Sequence, residues 1–372
     1  MRYKLNRYRE RTMEMDLKKI DTNFATCSVN GVEFTMYHPA DLGLEGFPWH
    51  EENEHKFTRL PEKKFSLFNE NLQDLSKCTA GGVIRFCTNS KAILLKGSYR
   101  PFWIMPHMAM AGQAGFDIVQ WEDGKGIFHA NLQIDSIPVA EKKWDFEFTA
   151  TLPEGMNEYR IFMPLYAGVE HLEIGLEAGS TVERAPIHKI EKPILFYGSS
   201  ITQGGCASRP SNCHAALLSQ AVDAEQINLG FSGNAKGEKE MAELIASLDL
   251  SCFVMDYDYN APTPEHLQET HESFFKIIRE KHPDLPVVMV SRCFTNPDNL
   301  EDTTKRRNII MQTYSNARAK GDKNVYFVDG MNTFAQEAIE WPTVDRCHPT
   351  DLGFYLMTKR ILPTLKQALG IF

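Results

Sequence analysis

The sequence predicts two domains of different class: an all-β sandwich, jelly-roll-like, followed by a three-layer α/β/α domain around a five-stranded parallel sheet. Three observations carry this reading. The chain has 372 residues, more than one ordinary core accommodates. Up to about residue 185 it shows short strand-like runs and almost no helical period. Beyond Pro193, short apolar runs alternate with helical segments, the pattern of a parallel sheet covered on both faces. The expected domains are residues 1–185 and 186–372, with a linker at 183–192.

In the first half, residues 32–37, 82–87, 92–96, 116–121, 146–150, 158–163 and 171–176 are rich in β-branched or aromatic side chains. Turn residues separate them, as in Glu122-Asp123-Gly124-Lys125-Gly126. In the second half, strands are expected at 194–197, 227–231, 252–257, 287–290 and 325–328. Helices are expected at 214–222, 238–248, 265–281, 303–319 and 352–369, the third opened by Thr263-Pro264 as cap and early proline.

Composition narrows the function classes. A formal net charge of −9 is the wrong sign for a nucleic-acid binder. No run is long and apolar enough to span a membrane, and residues 1–20 are charged, so no secretory signal is expected. Eight scattered cysteines without a Cys-x-x-Cys pair speak against a zinc ribbon or redox motif, and free thiols fit a cytoplasmic location.

In an open parallel sheet, ligands bind beyond the carboxyl ends of the strands. Four loops follow such ends. They read Gly198-Ser199-Ser200, Gly230-Phe231-Ser232-Gly233-Asn234, Asp258-Tyr259-Asn260-Ala261 and Asp345-Arg346-Cys347-His348. In this order they resemble the Ser, Gly, Asn and His blocks of the SGNH/GDSL hydrolases, a flavodoxin-like α/β/α family. The resemblance covers residues 192–372 and departs from the usual pattern at Ser199 (Asp), Asp258 (Gly) and Ala261 (Asp). A sandwich ahead of such a domain is similar to certain carbohydrate esterases and a few acyltransferases.

The resemblance implies a serine esterase without metal or organic cofactor. Ser200 would be the nucleophile, His348 the base that activates it, and Asp345 the carboxylate that orients the imidazole. The Ser200 N–H, the Gly233 N–H and the Asn260 amide would form the oxyanion hole. A glycine at 233 is expected because a side chain could block that approach. The expected partner is a small-molecule or oligosaccharide ester, with acetyl the preferred acyl group. An acyltransferase with the same site, or a silent carbohydrate-binding protein, are the alternatives.

Each residue also has a plainer reading. Ser199 and Ser200 could cap a helix. Gly233 and Asn260 could be turn residues. Cys206 and Arg209 are candidate pocket-lining residues, Arg209 alternatively structural. The stretch holding Trp103, Met105, His107 and Met108 could pack as core or face the cleft. His50 to His55 is one residue too long for His-Glu-x-x-His and reads as a solvated loop. His266 and His271 are expected to be exposed on a polar helix. No Gly-x-Ser-x-Gly elbow, Walker loop or dinucleotide fingerprint is present.

Overall fold

The computed structural model describes residues 26–134, 144–293, 299–331, 333–334 and 341–371. The first domain contains β1 (Thr26–Val29), β2 (Val32–Tyr37), β3 (Leu44–Glu45), β4 (Val83–Thr88), β5 (Ala92–Tyr99) and β6 (Phe116–Glu122). These are followed by β7 (Lys125–Leu132), β8 (Asp145–Thr151), β9 (Asn157–Phe162), β10 (Val169–Glu177) and β11 (Val182–Arg184). They form two antiparallel sheets, in the orders β1-β2-β10-β5-β8 and β11-β4-β9-β6-β7, with β3 added on β4. Alternate residues of both sheets point inward, so Phe86, Ile118 and Ile161 meet Ile93, Leu95 and Ile174 in one core.

The runs that alternate cleanly were legible. β7 was not, because its first half is exposed and it opens inside a turn sequence. The first half also holds more helix than expected: α1 (Pro39–Leu42), α2 (Glu70–Ser76) and α3 (Met110–Gln113). At seven residues or fewer they carry little period; α2 starts because Asn69 accepts the Leu72 N–H and Leu72 is buried.

The second domain is a parallel sheet of β12 (Ile190–Gly198), β13 (Ala224–Gly230), β14 (Cys252–Asp256), β15 (Val287–Val290) and β16 (Val325–Val328), in the order β13-β12-β14-β15-β16. Its helices are α4 (Ser200–Gln203), α5 (His214–Val222), α6 (Lys239–Ile245), α7 (Pro264–Lys281), α8 (Leu300–Ala319) and α9 (Asp351–Ala368). The strand period of two assigns the faces. Ile194, Phe196 and Val254 pack with α5 and α9, whereas Leu195, Tyr197 and Phe253 pack with α6, α7 and α8.

The domains share these cores. Val83, Met108, Val119, Phe162 and Leu165 join the α5–α9 layer, and Leu60, Phe68 and Leu72 join the other. Burying one such side chain contributes about 1.5–3 kcal/mol. His271 corrects the expected exposure. It lies on the stripe Leu267, His271, Phe274 and Ile278, is buried, stacks on Tyr257 and bonds Thr313 at 2.9 Å. The His50 loop is also no solvated loop. His50 and Asn53 are buried, and Asn53 binds Leu60 O and Glu62 N.

Candidate active site

The site grows from strand ends. β12 stops at Gly198, and the chain turns at once into α4. Ser199 is its cap: the buried hydroxyl accepts the Ile201 N–H at 3.2 Å. Ser200 is then the first helical residue, with its hydroxyl facing the rim. Of the two serines, the capping role therefore falls to Ser199.

Ser200 Oγ lies 2.9 Å from His348 Nε2, and His348 Nδ1 lies 2.7 Å from Asp345 Oδ2. The other Asp345 oxygen accepts the backbone N–H groups of Cys347 and His348 at 3.0 and 2.7 Å. A bridge between Thr343 and Pro349, and the Val344 N–H bond to His348 O, close this loop into a tight turn. Burial works against the Asp345 charge, but the bonds from His348 and Cys347 outweigh it and hold the carboxyl below its ordinary value. An ionised Asp345 holds the proton on Nδ1 and leaves Nε2 as the acceptor for the Ser200 hydroxyl.

Across from Ser200, the loop after β13 carries Gly233, and the loop after β14 carries Asn260. Asn260 Nδ2 donates to Phe231 O at 2.8 Å, which ties the two loops together and uses one of its two N–H bonds. Gly233 has φ +67°, and a Cβ there would meet nothing within 4 Å. The left-handed backbone by itself favours glycine here. Arg292 and Arg306 fix the Asn260 loop. Arg292 pairs with the buried Asp258 at 3.1 Å, and Arg306 donates to Asp258 O and Ala261 O. Asp258, a departure from the usual glycine, thus has a structural partner.

The sandwich supplies the next layer, which the sequence did not reveal. Tyr166 Oη lies 2.8 Å from Ser232 Oγ and 3.3 Å from Ser200 O. A Cβ on Gly205 would sit 2.9 Å from Tyr166 Oη, 3.0 Å from Ser200 O and 3.3 Å from His348 Cδ2, so the three residues crowd one point. The His107 ring is 6.1 Å from that of His348. Arg59 is fully buried and donates to Asn228 O, Gly230 O, Leu75 O and Cys78 O, pinning the end of β13 just before the Gly233 loop. Burial draws its pKa down to about 10.

Two candidate residues take other places. Arg209 takes the structural one of its two expected roles: its guanidinium is committed to Asp117 at 3.2 Å, to Ser211 and to the Phe128 ring, an interdomain joint. Cys206 sits beside the His348 loop but is only 8% exposed. Burial, with Asp345 and Cys347 nearby, pushes its thiol up to about 11, so it stays protonated. In the stretch from Trp103 to Met108, Met108 is core, while Trp103 is 85% exposed. A cleft of about 560 Å³ runs from Tyr166, Ser232 and Asn234 outward to Met105, Trp103 and Arg100.

Residues 191–366 match the model of the GDSL-like lipase/acylhydrolase family, and residues 33–182 match that of the N-terminus of SGNH-hydro-type esterases. No curated protein matches the chain. A solved GDSL-like lipase from Bacteroides ovatus is 29% identical, with a TM-score of 0.81 over 91% of this chain and 99% of that one. A salicylyl-acyltransferase, SsfX3, from a tetracycline biosynthetic pathway is 21% identical, with a TM-score of 0.74 over 91% and 98%. A family two carbohydrate esterase from Clostridium thermocellum, solved with cellohexaose, shares the fold at 14% identity and a TM-score of 0.57 over 78% and 93%. With the four loops in order on a five-stranded parallel sheet, the chain belongs to the SGNH/GDSL hydrolases, its sandwich being their SGNH-type N-terminal domain.

Proposed function

We propose that the protein is a serine esterase that removes short acyl groups, acetyl first, from a hydroxylated compound such as a sugar or oligosaccharide. The observation that carries this is the relay from Ser200 through His348 to Asp345, opposite donors at Gly233 and Asn260. Ser200 Oγ attacks the ester carbonyl while its proton passes to His348 Nε2. The carbonyl oxygen, now negative, is met by the N–H groups of Ser200 and Gly233 and by the unused Asn260 N–H. His348 then gives the proton to the leaving alcohol. Water repeats the sequence on the acyl-enzyme and releases the acid.

The carbohydrate preference draws on the structural likeness to the esterase solved with cellohexaose, and on the exposed Trp103 at the cleft. A second reading, transfer of the acyl group to another alcohol, is favoured by the likeness to SsfX3 and uses the same groups. Free thiols at all eight cysteines are consistent with a reducing, cytoplasmic setting.

Hydrolysis of p-nitrophenyl acetate, butyrate and octanoate by the wild type and by Ser200→Ala tests the reading. Acetate should be preferred, and the variant should fall to the uncatalysed rate with its Tm unchanged. Undiminished turnover by Ser200→Ala would sink it. Added acceptor alcohols that shift the product from acid to new ester would favour the transferase.

A further inference from the structure

The cleft beside the oxyanion loop has a chemical bias that the esterase reading does not use. Its inner end is Tyr166 and Ser232, in contact with the nucleophile's backbone. Its outer wall is Arg100 and Trp103, both from the sandwich. Gln113, fully buried, holds the backbone on both sides of Ile104: its amide donates to Trp103 O and its oxygen accepts the Met105 N–H at 3.1 Å. The indole is therefore presented to solvent from an anchored main chain, which a stray surface tryptophan would not need.

Arg100 is anchored in the same way. Its N–H donates to Gly168 O at 2.8 Å, and its Cδ and Cγ run along Gly168, where a Cβ would come within 2.9 and 3.4 Å of them. Yet among the described residues its guanidinium donates to no side chain and no carbonyl. Arg59, Arg85, Arg160, Arg209, Arg292 and Arg306 all have such partners. The single carboxylate on this wall among the described residues, Asp74, is already held by Lys77 at 2.9 Å. Five donors in a fixed fork thus face a cleft with no free anion among the described residues to receive them, next to a flat apolar face.

We propose that this cleft binds a substrate carrying a carboxylate, with Arg100 pairing to the anion and Trp103 covering the adjoining apolar face of the molecule. The inference rests on the esterase reading and deepens it: the ester is an acidic one, the carboxylate lying either on the alcohol, as in a sugar acid, or on the acyl group, as in a dicarboxylic half-ester.

The test uses full-length Ser200→Ala protein, so that binding is read without turnover, by calorimetry. Four probes are compared: D-galacturonate against D-galactose, and monomethyl succinate against methyl butyrate. One of the two anions should bind about 10- to 100-fold more tightly than its neutral counterpart, the range of a charge-assisted bidentate contact. Which pair shows the preference tells the alcohol side from the acyl side. Adding Arg100→Met should reduce it to within about twofold, Arg100→Lys should retain part of it, and salt should weaken it. Trp103→Ala should weaken both members of the preferred pair. No preference for either anion, or a preference that survives Arg100→Met with the fold intact by circular dichroism, would overturn the proposal. Failure of the wild type to hydrolyse any ester, acidic or neutral, would count against the esterase reading and leave this binding result standing by itself.

Discussion

The sandwich meets the catalytic domain at both ends of the parallel sheet, and the two joints are built differently. At the amino ends of the strands, the arginines and the linking histidine are matched by carboxylates. Arg85 pairs with Glu45 and Glu158 at 2.9 and 3.1 Å, and Arg160 with Glu158 and Asp223 at 2.9 and 2.8 Å. His188, in the link between the domains, bridges Asp223 and Glu45 at 3.0 and 3.1 Å. At the carboxyl ends, Tyr166 and Arg59 are bonded, but the second Asn260 N–H, the Gly233 N–H and the Arg100 guanidinium have no protein acceptor among the described residues. A saturated joint holds two domains together. An unsaturated one, on a backbone just as firmly held, is arranged to be completed by something that binds.

This contrast can be broken from either side. The largest effect is expected at the carboxyl ends from Asp345→Asn, which keeps the shape but favours the wrong imidazole tautomer; kcat should fall about 10,000-fold. Asn260→Ala removes one oxyanion donor and should lower kcat by about 100- to 1,000-fold with KM little changed, as steady-state kinetics on p-nitrophenyl acetate would show. Arg59→Met removes the donor to four carbonyls, two of them, Asn228 O and Gly230 O, in buried bonds. It should cost about 3 kcal/mol or more in a denaturant titration, a purely structural loss despite lying close to the site.

Tyr166→Phe deletes the hydroxyl's contacts with Ser232 Oγ and Ser200 O and should reduce kcat about tenfold or less while leaving the fold intact. At the opposite joint, Glu225 accepts the Gly46 N–H but carries no salt bridge among the described residues. Burial, and then Glu45, push its carboxyl from 4.5 up to about 7. The folded value lies above the ordinary one, so the unfolded chain gives up this proton first. Stability should therefore fall as pH rises from about 4.5 to about 7. Glu225→Gln keeps the acceptor and removes the charge. It should raise stability by about 1 kcal/mol at pH 8 and change little at pH 4, read as Tm against pH.

The contrast also separates what the sequence disclosed from what it withheld. Ser200, Gly233, Asn260 and His348 each follow a strand end, and Asp345 stands three residues from His348. Strand period and local order were enough to bring them to one rim. Tyr166, Arg59 and Arg100 act across the domain boundary. Arg59 reaches carbonyls 169 and 171 residues away, and nothing in the spacing of its neighbours announces that. His271 could have been found, since Leu267, His271, Phe274 and Ile278 keep helical spacing; its polarity masked its place on the stripe. The left-handed backbone of Gly233 was not legible, because the sign of a backbone dihedral is set by the loop as a whole. Arg209 was open between a cleft and a structural role because it follows Ser200 closely, and the partner that makes it structural, Asp117, comes from the sandwich.

The central claim is that one activated serine does the chemistry. Treatment with diisopropyl fluorophosphate, followed by tandem mass spectrometry of proteolytic fragments, tests it most directly. The account predicts a single phosphoryl adduct on Ser200, abolished in His348→Ala, with loss of esterase activity in step with labelling. An adduct on Ser199 or any other serine, or full labelling of Ser200 without loss of activity, would contradict it.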